Sequence, residues 1–449
     1  MPQAAPAGLG WVSIVRIGLV QACIGALVML STTVLNRLMV VEYGLIAAIP
    51  AGLVAWHYAV QLTRPVWGHG SDHGRKRTPW ILGGIAVLAG AVLLASYATP
   101  MMADDFNSGF GFAVLAYTLI GVGVGMGGTS ALALLASGVA PQRRAAAAAT
   151  TWIMMVGGIV VSAITVGQLL DPYSPERLME VARGLAAATV GITALATFRL
   201  ERGHVVFEET KKDEPAPSFR TAIVEIWNEK AARRFTIFIF VSMIAFSMQD
   251  LILEPFAGLV FGMSPGESTQ LGGQHQGGIL LGMILAGIGG SAFAGRLPSD
   301  LRIWVVSGCV GSAVALAGLA AAAIHGPGWP IGINVFLLGL GNGVFAVAAI
   351  GAMMGLAGAG EKTREGVRMG VWGASQAIAF GLGGLIGALG VDIARRIQAN
   401  DGSAFQIIFA IEAVLFVIAA GLAVRVKVAR RGTGAPALPQ TSQEAEVFA

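Results

Sequence analysis

Residues 201–232, ERGHVVFEETKKDEPAPSFRTAIVEIWNEKAA, form the longest charged stretch of the chain and contain Pro215 and Pro217. Apolar sequence surrounds it on both sides. A helix needs about 20 mainly apolar residues to cross a hydrocarbon core about 30 Å thick. Twelve runs meet that need, six before the charged stretch and six after it: 17–40, 43–66, 79–99, 110–137, 146–170, 183–200, 235–261, 278–296, 303–324, 330–357, 367–390 and 405–425. The chain therefore divides into a first half (1–200), a linker (201–234), a second half (235–431) and a polar tail (432–449) expected to be disordered. The expectation is an all-α membrane protein with twelve transmembrane helices.

Composition agrees. Of 449 residues, 55% are hydrophobic and only 12% charged, about half the charge of a soluble domain. A net charge of +4 could suggest nucleic acid, but the basic residues form no patch. They sit in short loops, which excludes a nucleic-acid partner and points to the lipid bilayer. Loops after even-numbered helices, with the C-terminal tail, hold 22 Lys and Arg, against 4 after odd-numbered ones. That bias places both termini and the linker in the cytoplasm. Cys23 and Cys309 both fall in apolar runs and frame no disulfide. With no Walker A string, H-E-x-x-H or G-x-S-x-G, the chain is not expected to be an enzyme.

Charges at bilayer depth are costly and mark function. Asn36 and Arg37 lie on the first span, with Glu42 at its outer end. His57, Gln61 and Arg64 share one face of the second, at i,i+4 and i,i+3. On the seventh, Gln249 and Asp250 precede Glu254 by about one turn, and Pro255 follows. Pro255 has no amide hydrogen, so it leaves the carbonyl of Leu251 unpaired and should kink the helix. Two carboxylates one turn apart at that depth cannot both ionise easily, so one should have a raised pKa or a cationic partner. Gln21, Asn334, Asn342, Gln376 and Glu412 complete the in-span polar set, the single amides reading mainly as helix glue. His275 reads as a loop residue, and no histidine pair has zinc-site spacing. Gly123-x-Gly125-x-x-Gly128 matches a dinucleotide fingerprint only as a string; inside a span it reads as close helix packing.

Six helices, a charged linker and six more helices resemble the architecture of the major facilitator superfamily, which implies a site near the midplane between the halves. Gly68-His-Gly-Ser-Asp72-His-Gly-Arg75-Lys76 resembles that superfamily's signature loop, shortened by one residue. The likeness implies a gating role for Gly68, Asp72, Arg75 and Lys76. A narrower resemblance rests on Gln249-Asp250-Leu-Ile-Leu-Glu254-Pro255-Phe-Ala-Gly258-Leu-Val-Phe-Gly-Met-Ser264-Pro-Gly266-Glu267. This string is similar to the helix 7 hallmark of the PucC/LhaA family. Leu35 to Glu42, the Arg77-Thr-Pro79-Trp segment and Gly127-Gly128-Thr129 agree with it. In departure from the family pattern, Phe256-Ala257 stands where an aromatic-Gly pair is expected.

The resemblance implies an assembly factor for light-harvesting antenna complexes, in a bacterial cytoplasmic or intracytoplasmic photosynthetic membrane. It would supply bacteriochlorophyll to the α and β polypeptides. No intrinsic cofactor is implied; the Mg-chlorin is cargo. Such a cargo needs a lateral groove and a ligand for its magnesium. Asn36, Arg37, His57, Gln61, Arg64, Gln249, Asp250 and Glu254 are the candidate site, with the imidazole of His57, or an oxygen of Gln249 or Glu254, as the expected magnesium ligand. Two other classes stay open: a proton-coupled transporter of a small solute, and a scaffold for antenna polypeptides that handles no pigment.

Overall fold

The computed structural model describes residues 9–64, 67, 76–139, 143–201, 230–291, 301–357, 365–398 and 400–425. Most of the linker, the polar tail, and Gly68, Asp72 and Arg75 of the signature loop lie outside these residues. Lys76 is described, and is exposed just ahead of the third helix.

The described residues are helical almost throughout. The helices are α1 (Trp11–Glu42), α2 (Ala48–Val60, prolonged by the 3₁₀ turn Gln61–Thr63), α3 (Thr78–Asp104), α4 (Phe106–Gly138), α5 (Arg144–Leu170) and α6 (Pro175–Thr197). The second half contains α7 (Lys230–Phe261), α8 (Pro265–Ser291), α9 (Leu301–His325), α10 (Ile331–Ala357), α11 (Glu365–Ile397) and α12 (Asp401–Arg425). Among the described residues, ten helices are long and apolar enough to cross a membrane. The expected twelve spans also count α2 and α8, which do not meet that standard. The described part of α2 is short, and the first three turns of α8 carry Glu267, Gln270, Gln274, His275 and Gln276.

Local sequence sets the helix starts. Ser264 and Glu267 form a reciprocal capping box ahead of α8: the Ser264 amide donates to Glu267 Oε2 at 2.9 Å, and the Glu267 amide to Ser264 Oγ at 3.1 Å. Ser174 caps α6, with Pro175 in the first turn. Asp105 caps α4, and its hydrogen bonds from Ser108 hold this exposed carboxyl below the usual carboxylate range. A carboxylate from another element starts α3: Glu201 accepts from the amides of Arg77 and Thr78 at 2.8 and 3.0 Å, and an anion is favoured at that helix end.

Each half has its own apolar core, one centred on α1, α3 and α4, the other on α7, α9, α10 and α12. At the α3–α4 crossing, a Cβ on Gly123 would fall 2.7 Å from the amide nitrogen of Leu88, so the glycine-rich string of α4 serves close packing. Large apolar side chains, Val12, Leu195, Val314 and Ile397 among them, point outward, as lipid-facing surfaces require.

Candidate functional site

The two halves meet through α1 and α7. The side-chain amide of Asn36 donates to the carbonyl of Leu251 at 2.7 Å, both groups buried. This is the carbonyl that Pro255 leaves unpaired, and α7 runs on through Pro255 to Phe261 as one helix. Arg37, one residue on, is 2% exposed. It pairs with Glu42, and its Nη2 donates to the carbonyl of Met263 at 2.6 Å. The guanidinium of α1 thus lies against α7 beside Gly258, with Glu42 as its carboxylate partner. Two π-helical turns, Leu30–Val34 and Leu38–Glu42, flank these residues. Gly258 makes the approach possible: a Cβ there would sit 3.0 Å from Val41 and 3.1 Å from Arg37 Nη2.

Below this junction lies a cavity of about 170 Å³ shared by the halves. Asp250 and Glu254 of α7 line it, with Tyr58 of α2, His275 and Gln276 of α8 and Phe380 of α11. Glu254 is buried and its Oε2 has no protein partner among the described residues. Glu412 of α12 is fully buried with neither oxygen paired among the described residues. Gln249 is also buried, with no partner for its side-chain amide among the described residues.

The structure divides the expected site. Asn36, Arg37, Asp250 and Glu254 converge as above. The α2 face does not join them: Gln61 bonds Arg64, and the buried ring of His57 lies against Tyr58 with Nδ1 donating to the carbonyl of Val54 at 2.8 Å. His57 does not line the cavity; its neighbour Tyr58 does.

His275, expected in a loop, is buried on α8 and is the imidazole that faces the cavity. Ser312 donates to Asn342 Oδ1 at 2.8 Å, and Asn342 Nδ2 lies 3.3 Å from His275 Nε2. The Ser312 bond fixes the amide so that Nδ2 donates, which leaves the ring proton on Nδ1. The capping box Ser264-Pro-Gly-Glu267 is the sequence signal that locates His275 on a helix.

The extracytoplasmic end, as the basic residues orient the chain, is tied across the halves twice. Asp392 of α11 accepts from the amides of Ala47 and Ala48 at the start of α2, at 2.9 and 2.7 Å. Asp171, after α5, accepts from Ser264 Oγ at 2.6 Å and the Gly266 amide at 3.1 Å at the start of α8. The contacts are reciprocal, each half capping a helix of the other.

A helical bundle of two halves around a buried polar junction is the fold of the major facilitator superfamily. Two solved structures share it: a bacterial homologue of the human lysosomal transporter Spinster, inward-facing and unoccupied, and the tetrameric PepTSo2. The TM-score is 0.67 for each, at 15% and 14% identity, over 92% of this chain and 96% and 97% of theirs. The chain belongs to the PUCC protein family, whose profile matches residues 34–431. It is 48% identical to the "Bacteriochlorophyll synthase 44.5 kDa chain" of Rhodobacter capsulatus, over 95% of this chain and 98% of that one. It is 30% identical to Protein PucC of Cereibacter sphaeroides, over 89% and 88% of the two chains.

Proposed function

We propose that this multi-pass membrane protein serves the assembly of bacterial light-harvesting complexes by receiving bacteriochlorophyll and passing it to the α and β antenna polypeptides. The observation that carries the reading is family membership over residues 34–431, on a fold whose polar groups are enclosed by apolar, lipid-facing helices. The name of the 48% identical relative places that protein in the same pigment context. In this reading the chain performs no chemistry on the pigment.

Ligand pockets usually run from about 300 to 1,000 Å³, so the 170 Å³ cavity admits no macrocycle while the halves are closed. The ring would approach Glu254 and His275 from the lipid side as the halves part. A second reading draws on the cavity itself: its volume suits a cluster of waters, and its carboxylates would suit proton-coupled movement of a small solute.

The test is an absorption spectrum of protein purified in mild detergent from a pigment-making host, with antenna polypeptides probed in the same fraction. A near-infrared band at fixed stoichiometry, lost in Glu254→Gln, is the expected result. A colourless protein that retains antenna polypeptides would indicate a scaffold. One that is colourless and alone would put the solute transporter first.

A further inference from the structure

The cavity between the halves carries more negative charge than its walls answer. Asp250 and Glu254 reach it from α7, one turn apart, and no Lys or Arg is among its described lining residues. Arg37, the buried cation of the junction, is already held by Glu42 and by the carbonyl of Met263. A buried carboxylate without a partner is costly, so a polar group in this state points to a bound water or ion.

Glu254 shows the need most directly. It is 2% exposed, it lines the cavity, and its Oε2 has no protein partner among the described residues. Gly272 of α8 makes room for the same carboxyl, since a Cβ there would fall 2.6 Å from Glu254 Oε1. Protonation does not remove the problem, because a protonated Oε2 becomes a donor and needs an acceptor of its own.

The lining restricts the kind of ion. His275 offers no lone pair: Nε2 accepts from Asn342, and Nδ1 carries the proton. The electron-pair donors that remain are side-chain oxygens, from Asp250, Glu254, Thr33, Tyr58 and Gln276. Such a set suits a hard cation and not a transition metal. Among the described residues, no three His, Cys, Asp or Glu come together as a metal site. Two carboxylates one turn apart do not readily ionise together, which leaves one negative charge for a monovalent ion to balance. The cavity has room for such an ion with several waters.

We propose that this cavity binds a single alkali cation at Glu254 and Asp250, and that the bound ion stabilises the closed arrangement of the halves. The lining comes from both halves, with Thr33 of α1 and Tyr58 of α2 facing α7, α8 and Phe380 of α11. Parting the halves takes the oxygens of Thr33 and Tyr58 away from the carboxylates and weakens the site. By linkage, the bound ion resists that parting to the same degree. The site goes beyond pigment delivery and stands whether or not the chain handles a pigment.

Full-length protein in detergent would be exchanged into choline chloride and melted while NaCl or KCl replaces the choline at constant ionic strength. The expected result is a midpoint that rises with the logarithm of one alkali concentration. Equilibrium dialysis should find one radioactive sodium or rubidium ion bound per chain. Glu254→Gln and Gly272→Ala should each raise the half-saturating concentration about tenfold. Gly272→Ala removes no carboxylate and only crowds Glu254, and with Asp250→Asn it carries the comparison if Glu254→Gln fails to fold.

A midpoint that follows pH but no alkali ion would make the occupant a proton. One raised by CaCl₂ in place of NaCl, at equal ionic strength, would make it divalent. Either result overturns the proposal. So does an alkali response that the variants retain, which would put the ion elsewhere on the protein. No arm contains pigment, so the delivery reading is neither supported nor damaged by the outcome.

Discussion

The side-chain nitrogen of Asn36 lies 2.7 Å from the main-chain oxygen of Leu251, and this single bond repairs the hydrogen-bond gap that Pro255 opens in α7. One half of the molecule thus completes a helix of the other. Removing the donor leaves a buried carbonyl unpaired, at a cost of about 1–3 kcal/mol. Asn36→Leu should therefore lower the unfolding midpoint in detergent. Pro255→Ala supplies an amide to the same carbonyl, so in that background Asn36→Leu should cost less, with a coupling energy within the 0.5–3 kcal/mol usual for contacting residues. Strict additivity of the two substitutions would show that the bond does not span the halves.

Gly258 is the second point at which α1 and α7 depend on each other. A methyl group there would press on Val41 and on the Arg37 guanidinium, both within 3.1 Å of the added carbon. Arg37 cannot yield easily, because Glu42 and the carbonyl of Met263 hold it. Overpacking of this kind costs about 1–3 kcal/mol. Gly258→Ala should destabilise the protein within that range, and Gly258→Val more. A thermal unfolding series at Gly258 and at Gly52, where a Cβ meets nothing within 4 Å, checks the contrast.

What the sequence made legible follows from how local each signal is. Apolar length and the basic residues of the loops specify membrane helices and their arrangement in two halves, because each span answers to lipid before it answers to neighbours. Asp250 and Glu254 were legible for the same reason: a charge at that depth stands out in any register. The α2 face was misleading because i,i+4 spacing shows that His57 and Gln61 share a face without showing what that face meets, and the cavity is lined by Tyr58 instead. His275 was missed because the polar start of α8 lowers its hydropathy, so the apolar run begins thirteen residues after the helix does. Close approach at a single glycine had no sequence signal: Gly157 and Gly158 are adjacent and identical in type, and only the fold shows that one is open and the other packed.

The relay Ser312–Asn342–His275 presents the only described imidazole lining the central cavity, so the two buried histidines should behave differently. His57→Phe should leave a bound near-infrared pigment band in place, since the ring does not line the cavity. His275→Phe should weaken that band by removing a hydrogen-bond donor to the pigment rather than a magnesium ligand, because Nε2 already accepts from Asn342 and Nδ1 carries the proton. Asn342→Leu removes the partner of Nε2 while leaving the imidazole present, and should lower stability by about 1–3 kcal/mol. Absorption spectra and melting curves of the three variants decide the matter; a band lost only in His57→Phe would place the pigment contact on α2.

Asp171 and Asp392 tie the halves together reciprocally at one end of the bundle, each accepting main-chain amides at the start of a helix in the opposite half. An acceptor at a helix start is worth about 0.5–2 kcal/mol, and these two contribute only while the halves are together at that end. Their loss therefore acts on the balance between states and not on the halves themselves. Opening that carries a 1% population would rise severalfold for each contact removed. The check is a pair of spin labels at Ile46 and Ile397, both exposed, in full-length protein with Cys23 and Cys309 replaced by serine. Asp171→Ala with Asp392→Ala should move part of the distance distribution to longer values. Asp392→Asn keeps an acceptor oxygen and should shift it far less. An unchanged distribution in the double alanine variant would mean that the Arg37 junction alone holds this end closed.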